Sequence, residues 1–193
     1  MLEREKLVEL FADLPVLETD RLFLRALRTS DAADLFDYAH REDVTKFLLW
    51  KPHKTIEHTT EYLRYIQERY RAGLFYDWAL ELKDTGKMIG TCGFTSFDPA
   101  NGIGEIGYVL NPDYRGHSLA LEAAQTVVRF GFQRLDLHRI EVRIMKGNEA
   151  SFRVAEKLKM QFEGWKRDAA LVAGTYRTVG ICSILKEECP YLV

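Results

Sequence analysis

Apolar and polar positions along the chain change period several times, and the changes mark the elements. Leu7, Val8, Leu10 and Phe11 recur at helical spacing within Glu3–Ala12, so residues 1–14 read as a short N-terminal helical extension. "RLFLRAL" (Arg21–Leu27) alternates and predicts a strand. "TSDAADLFDYAH" follows, with capping residues Thr29, Ser30 and Asp31 ahead of a helix. Thr55 caps a second helix, Ile56–Ala72, which stops at Gly73. Three strands come next, Tyr76–Leu82, Met88–Phe97 and Ile103–Leu110. The turns "KDTGK" and "DPANG" separate them, which is the spacing of an antiparallel meander.

After Leu110 the pattern changes. Ser118–Leu135 is helical, and its polar positions Glu122, Gln125, Arg129 and Gln133 form one stripe. Nearly everything else in it is apolar, so this helix lies on a sheet with most of its surface buried. "RIEVRIM" (Arg139–Met145) is a strand with Ile140, Val142 and Ile144 on one face. Strand, long helix, strand is a βαβ unit, which makes Ile103–Leu110 and Arg139–Met145 parallel. A helix at Glu149–Lys159 and strands at Gln161–Arg167 and Tyr176–Leu185 complete the chain. The expected fold is α/β (α+β mixed) in one domain, residues 1–193. Its sheet is mostly antiparallel with one parallel βαβ unit, and helices cover both faces.

Composition narrows the classes. The 193 residues are 47% apolar and 29% charged, with a net charge of −2, enough for a core and without a case for nucleic acid or an anionic membrane as partner. The start, "MLEREKLVELF", is too charged for a signal peptide, and no apolar run is long enough to span a bilayer. Cys92, Cys182 and Cys189 are odd in number and lack metal-ligand spacing, so they read as reduced thiols in a cytoplasm. His117 and His138 read as surface or capping residues, with no metal constellation around them.

Two glycine-bearing stretches carry candidate chemistry. "GIGEIG" (Gly102–Gly107) matches G-x-G-x-x-G in letters, but a strand and then a breaker follow it rather than a helix. The plainer reading puts Gly102 and Gly104 in a hairpin turn and Gly107 at a bulge or close backbone approach. "NPDYRGHSLALEAAQ" is different. Its Arg115–Ala120 knuckle follows a strand and opens a buried helix, so unpaired N–H groups and the positive helix end favour an anion there. Gly116 lets the backbone approach a ligand. An ordinary capped helix entry is the other reading. "GNEASFRVAEKLKM" starts a further helix after the next parallel strand. Both loops therefore lie at strand carboxyl ends and face one crevice.

These residues resemble the GNAT superfamily of acyl-CoA-dependent N-acyltransferases, and within it the RimJ/RimL-type branch that includes ribosomal-protein N-terminal acetyltransferases. The resemblance runs from "LETDRLFLRAL" through "LLWKPHKTIEHTTEYL", "GEIGYVLNPDYRGHSLALEAAQ" and "NEASFRVAEKL" to "CSILKEECP". The family's pyrophosphate loop, [QR]-x-x-G-x-[GA], lands on Arg115, Gly116, His117, Ser118, Leu119 and Ala120. Ser118 stands where the family has glycine, and Lys159-Met160 where it has a Gly-Phe pair. A serine there can also cap the helix.

The resemblance implies acetyl-CoA as cosubstrate and an amine as acceptor, with a ribosomal-protein N-terminus as the leading choice. It lays Tyr108, Val109 and Leu110 along the pantetheine arm, with the Val109 backbone N–H polarising the thioester carbonyl. Asn148 would hold the pantetheine amide, Ser151 would protonate the departing thiolate, and Arg153 would contact the nucleotide end. Each residue has a plainer role as well: Asn148 as N-cap, Ser151 as an ordinary first-turn serine, Tyr108 as core or cleft wall. Glu105 is either a solvated strand residue or the base that takes the amine's proton. A base matters because only a neutral amine attacks, and a Lys amine titrates near about 10.4 against about 7.7–8.0 for an α-amine. Trp50 and Phe47 line an acceptor pocket or simply pack the helices. No cysteine is placed to carry an acyl group, which favours direct attack in a ternary complex. Homodimers occur in that superfamily, though the sequence displays no self-complementary face. The alternatives are a small-molecule acceptor, a catalytically weak CoA-binding or regulatory module, and an unrelated α/β domain for another phosphate compound.

Overall fold

The computed structural model describes residues 4–192, so Glu3, where the first helical period begins, lies outside the described residues. The elements run α1 (Arg4–Ala12), β1 (Leu17–Glu18), β2 (Leu22–Arg25), α2 (Ala32–Ala39), α3 (Glu42–Thr45), α4 (Ile56–Arg71), β3 (Asp77–Leu82), β4 (Met88–Asp98) and β5 (Ile103–Leu110). They continue with α5 (Leu119–Arg134), β6 (Arg139–Met145), α6 (Glu149–Lys157), β7 (Gln161–Val172) and β8 (Thr175–Leu185). One eight-stranded sheet results, in the order β1-β2-β3-β4-β5-β6-β8-β7. β5 and β6 are the parallel pair, and the other neighbours are antiparallel. The expected fold class holds.

Two cores sandwich the sheet. On one face α1, α5 and α6 bury Phe11, Trp78, Ile89, Ile106, Val127, Phe132 and Ile140. On the other, α2 and α4 bury Leu35, Tyr38, Leu63 and Ile66 against Ala79 and Met88. The helix within residues 1–14 is a wall of the larger core. The Phe11 ring is fully buried, 4.7 Å from Tyr76, 5.9 Å from Trp78 and 6.3 Å from Phe130.

The α5 polar stripe ties down both chain ends. Arg129 Nε donates to the Tyr191 carbonyl, Gln133 Nε2 donates to the Leu192 carbonyl, and Glu122 accepts from Thr19 and Arg21. At the other face the guanidinium of Arg25, itself buried, grips Asp31 through two hydrogen bonds of 2.8 Å and reaches Glu81 on β3. Asp31 also accepts from the Arg28 N–H, so it fastens the approach to α2 and leaves the helix's own donors alone. Thr55 caps α4 as expected, accepting from the His58 N–H.

Glycine placement differs in two respects from the sequence reading. Gly102 does sit in the turn, at φ +64°, but Gly104 lies inside β5. A Cβ there would come within 2.8 Å of Leu137 and 3.0 Å of Phe94, so close packing is what requires glycine. Gly107 pairs in regular register with Gly93, and the irregularity falls opposite, between Phe94 and Ser96 on β4.

Candidate active site

The site begins where β5 and β6 part. Their ladder spans only Ile103–Glu105 against Arg139–Glu141, after which β6 continues beside β8 and the rest of β5 runs on without it. The direction of each β5 amide follows from the register with β4. The Asn111 N–H donates to the Ile89 carbonyl at 2.8 Å, and the pairing is unbroken back to Phe94 opposite Ile106. Antiparallel pairs alternate, so Gly107 and Val109 turn their amides to β4 while Tyr108 and Leu110 turn theirs to the open splay. The expectation for the Val109 N–H is thereby corrected: Tyr108 and Leu110 supply the outward donors.

Tyr108 spans the gap. Its hydroxyl donates to the Ser151 carbonyl at 3.2 Å, linking β5 to the first turn of α6. Burial pushes its phenol well up, so it stays protonated as a cleft wall.

Past Leu110 the chain turns through a built corner. Asn111 is fully buried; its Nδ2 donates to Asp37 and its Oδ1 accepts from the Asp113 N–H, both at 3.1 Å. Pro112–Tyr114 makes one tight helical turn, and Arg115, Gly116, His117 and Ser118 follow, all exposed. Gly116 has φ +87° and Ser118 φ +60°. The Ser118 hydroxyl makes no capping bond, because its left-handed backbone aims it away from the helix donors; the expected serine cap is absent. The Ser118 carbonyl accepts from the Glu122 N–H, so the N–H groups of Leu119, Ala120 and Leu121 lack an acceptor within α5. Leu119 is buried and anchors the helix. No atom lies within 4 Å of where a Gly116 Cβ would stand. Free donors, open space and an exposed arginine together suit a polyphosphate.

A clamp holds this corner still. Arg21 donates from Nη1 to the His117 carbonyl at 3.0 Å and from Nε to Glu122 at 2.8 Å, while Thr19 donates to the same carboxylate. Although burial opposes it, these bonds keep the Glu122 carboxyl below its ordinary value.

Across the splay, Asn148 caps α6: its Oδ1 accepts from the Ser151 N–H at 3.3 Å, which leaves its NH2 for a ligand. Ser151 is half-buried and Arg153 exposed. Lys159 closes the helix at φ +63°, and the Met160 N–H returns to the Ala155 carbonyl.

On the face toward α2 and α4, Glu105 accepts from Thr95 at 2.9 Å and Ser96 at 3.5 Å, with Arg143 at 4.0 Å. Asp77 lies on the same face of β3. Nearer the surface, a cleft of about 510 Å³ lies between the α3 region and the β7–β8 hairpin, lined by Glu42, Asp43, Lys46, Trp50, Val172 and Arg177 among others. Trp50 is partly exposed there, whereas Phe47 packs against Met145, Val172, Val179 and Ile181.

Residues 21–161 match the family model described as an acetyltransferase (GNAT) domain. The chain belongs to the GNAT acetyltransferases. It is 33% identical over 175 residues to the uncharacterized N-acetyltransferase p20 of Bacillus licheniformis, covering 91% of this chain and 98% of that one. The [ribosomal protein uS5]-alanine N-acetyltransferase of Escherichia coli is 27% identical over 171 residues, 83% of this chain and 86% of that one. The crystal structure of an acetyltransferase (GNAT family) from Bacillus anthracis superposes with a TM-score of 0.80 at 26% identity, covering 90% of this chain and all of that one.

The geometry of this acetyltransferase gathers most of the residues named from its sequence: Tyr108, Leu110, the Arg115–Ala120 knuckle, Asn148 and Ser151 all border one splay. Val109 and Glu105 face away from it, toward β4 and the α2/α4 side. Sequence reasoning missed the Thr19–Arg21–Glu122 clamp, although "LETDRL" was among the resembling segments and supplies two of its members. It also missed Asn111 and Asp77. The signal for Asp77 was a carboxylate inside the apolar run "YDWAL".

Proposed function

We propose that this acetyltransferase moves an acetyl group from acetyl-CoA to a primary amine, a protein N-terminal α-amine of ribosomal-protein type, by direct attack in a ternary complex. The observation that carries the reading is the splay: two outward β5 amides lead straight into an open helix end with free donors. Bound acetyl-CoA supplies an acyl thioester. The Gly116–Leu121 amides and Arg115 hold its pyrophosphate, and Leu110 N–H and the Asn148 NH2 hold the pantetheine arm. The Tyr108 N–H meets the thioester carbonyl, where such a donor is typically worth about 10²–10³ in rate. The Ser151 hydroxyl gives a proton to the departing thiolate, and Arg153 meets the nucleotide end. The amine's proton goes to one of two carboxylates on the α2/α4 face, Glu105 or Asp77. A covalent route has no support, because Cys92, Cys182 and Cys189 are buried and burial pushes their thiols up.

The choice of an α-amine rests on the uS5-alanine relative and on the open, mixed-charge cleft beside α3. The module reading is the weaker one, since Ser118 and Lys159 both hold the left-handed backbone that glycine would adopt. Calorimetric titration with acetyl-CoA tests the donor: micromolar binding that Arg115→Ala weakens tenfold or more is expected, and no binding overturns the reading. Mass spectrometry of an alanine-initiated hexapeptide incubated with enzyme and acetyl-CoA tests the acceptor. Acetylation at the α-amine is expected, and acetylation of spermidine alone would move the assignment to small amines.

A further inference from the structure

Asp77, Gly93 and Gly107 form one cross-strand row, with Asp77 opposite Gly93 on β4 and Gly93 opposite Gly107 on β5. Residues in such a row share a sheet face, and two of these three have no side chain. The row is therefore a trough from Asp77 to the β5 edge, where the splay opens. Asp77 leans into it: a Cβ on Gly93 would stand 2.8 Å from Asp77 Oδ1. The carboxyl thus lies over β4, about one strand spacing, ~4.8 Å, from β5. At the β5 end of the row the Thr95 methyl lies 2.8 Å from where a Gly107 Cβ would be.

Asp77 is half-buried as a residue, but its Oδ1 is sealed from solvent and has no hydrogen-bond partner among the described residues. The Thr91 hydroxyl and the Trp78 amide favour the charged form of the carboxyl. An unmet buried acceptor is costly, and the packing around it offers no compensation. Glu105 differs in that both its oxygens have donors and a cation stands nearby. We propose that Asp77 is the group that takes the proton from the attacking amine, directly or through one water.

This rests on the acetyltransferase reading above. The amine nitrogen bonds to the thioester carbonyl carbon, its proton passes to the Asp77 carboxyl, the C–S bond breaks, and the thiolate leaves with the proton given by Ser151. Return of the proton from the Asp77 carboxyl to the Ser151 alkoxide through water restores both side chains. The titratable groups around Asp77 are Tyr38 on α2, Tyr62 and Tyr70 on α4 and Cys92 on β4, and burial holds each of them protonated. Glu105 shares the sheet face from β5. Burial raises the Asp77 carboxyl to about 7, against the Thr91 and Trp78 hydrogen bonds, which suits exchange with an α-amine near 7.7–8.0 or so.

The test is the pH dependence of kcat with the alanine-initiated hexapeptide at saturation. Wild type is expected to lose activity below an acid limb near 7. Asp77→Asn, close in shape, is expected to lower kcat about 10²-fold or more and abolish the limb, with acetyl-CoA affinity within twofold and a melting transition no lower than that of wild type. Glu105→Gln is expected to keep the limb. Thr91→Val, which removes a donor to the carboxylate, is expected to move the limb to higher pH; a carboxyl that only props the fold would leave it in place. An Asp77→Asn enzyme with the limb intact and kcat within threefold overturns the proposal and leaves the acetyltransferase reading standing. A wild type that binds acetyl-CoA yet acetylates neither the peptide nor spermidine overturns both.

Discussion

Ser118 and Lys159 stand at positions where backbone conformation sets the requirement. Both hold φ near +60°, which costs a non-glycine residue roughly 1–2 kcal/mol. The sequence displayed these departures from the family pattern, but it could not display that the chain keeps glycine's conformation at each. Ser118→Gly should raise stability by about 1 kcal/mol, or about 2–4 °C in melting temperature for a chain of this size, and leave acetyl-CoA affinity within threefold. Gly116→Ala should act oppositely. No atom blocks the new methyl, yet φ +87° makes it destabilising by about 1–2 kcal/mol; calorimetry on the variants checks both.

At the level of elements, long periodic segments were legible and short or unpaired ones were not. α4, α5 and β6 declare themselves through periodicity and caps, and the parallel β5–β6 pair follows from connection chirality. β1 and α3 are two and four residues long, too short for any period. β7 runs to Val172 instead of Arg167 because Ala173-Gly174, both at positive φ, turn the hairpin there. Which β5 amides face the splay was hidden for another reason. That parity belongs to the pairing with β4, and side-chain alternation along one strand does not reveal it.

The buried Arg25 shows how elements are joined. It links β2 to the approach to α2 and to β3 through Asp31 and Glu81. Asp31→Ala removes two charged hydrogen bonds but leaves Glu81 on the guanidinium, and should cost about 1.5–3 kcal/mol in denaturant unfolding. Arg21→Ala should leave the fold intact and loosen the knuckle, weakening acetyl-CoA binding about 3–10-fold if one net hydrogen bond's worth of order is lost.

For the whole molecule, two carboxylates set opposite pH limits. Asp77 is raised from 3.8 to about 7 by burial, so the folded state holds its proton where the unfolded chain has lost it. Its stability contribution is full below the ordinary value and falls as pH rises through 4–7 or so, by up to about 4 kcal/mol. Glu163 is lowered from 4.5 to about 2 by Arg139, with Ser183 assisting. Its contribution is present above the ordinary value and is lost as pH falls toward 2; its exposure keeps that contribution small. Asp77→Asn should therefore be more stable than wild type at pH 8, with the gap smaller at pH 5 and nearly closed once pH falls below the ordinary carboxylate value, in urea unfolding. The placement of Phe11 bears on synthesis. α1 needs a ring from Phe130 to complete the seat of Phe11, and at about 5–20 residues per second that ring follows on the order of ten seconds after Phe11. Until then α1 has an unfilled berth, so the nascent chain carries Phe11 without its full cover while the intervening residues are made.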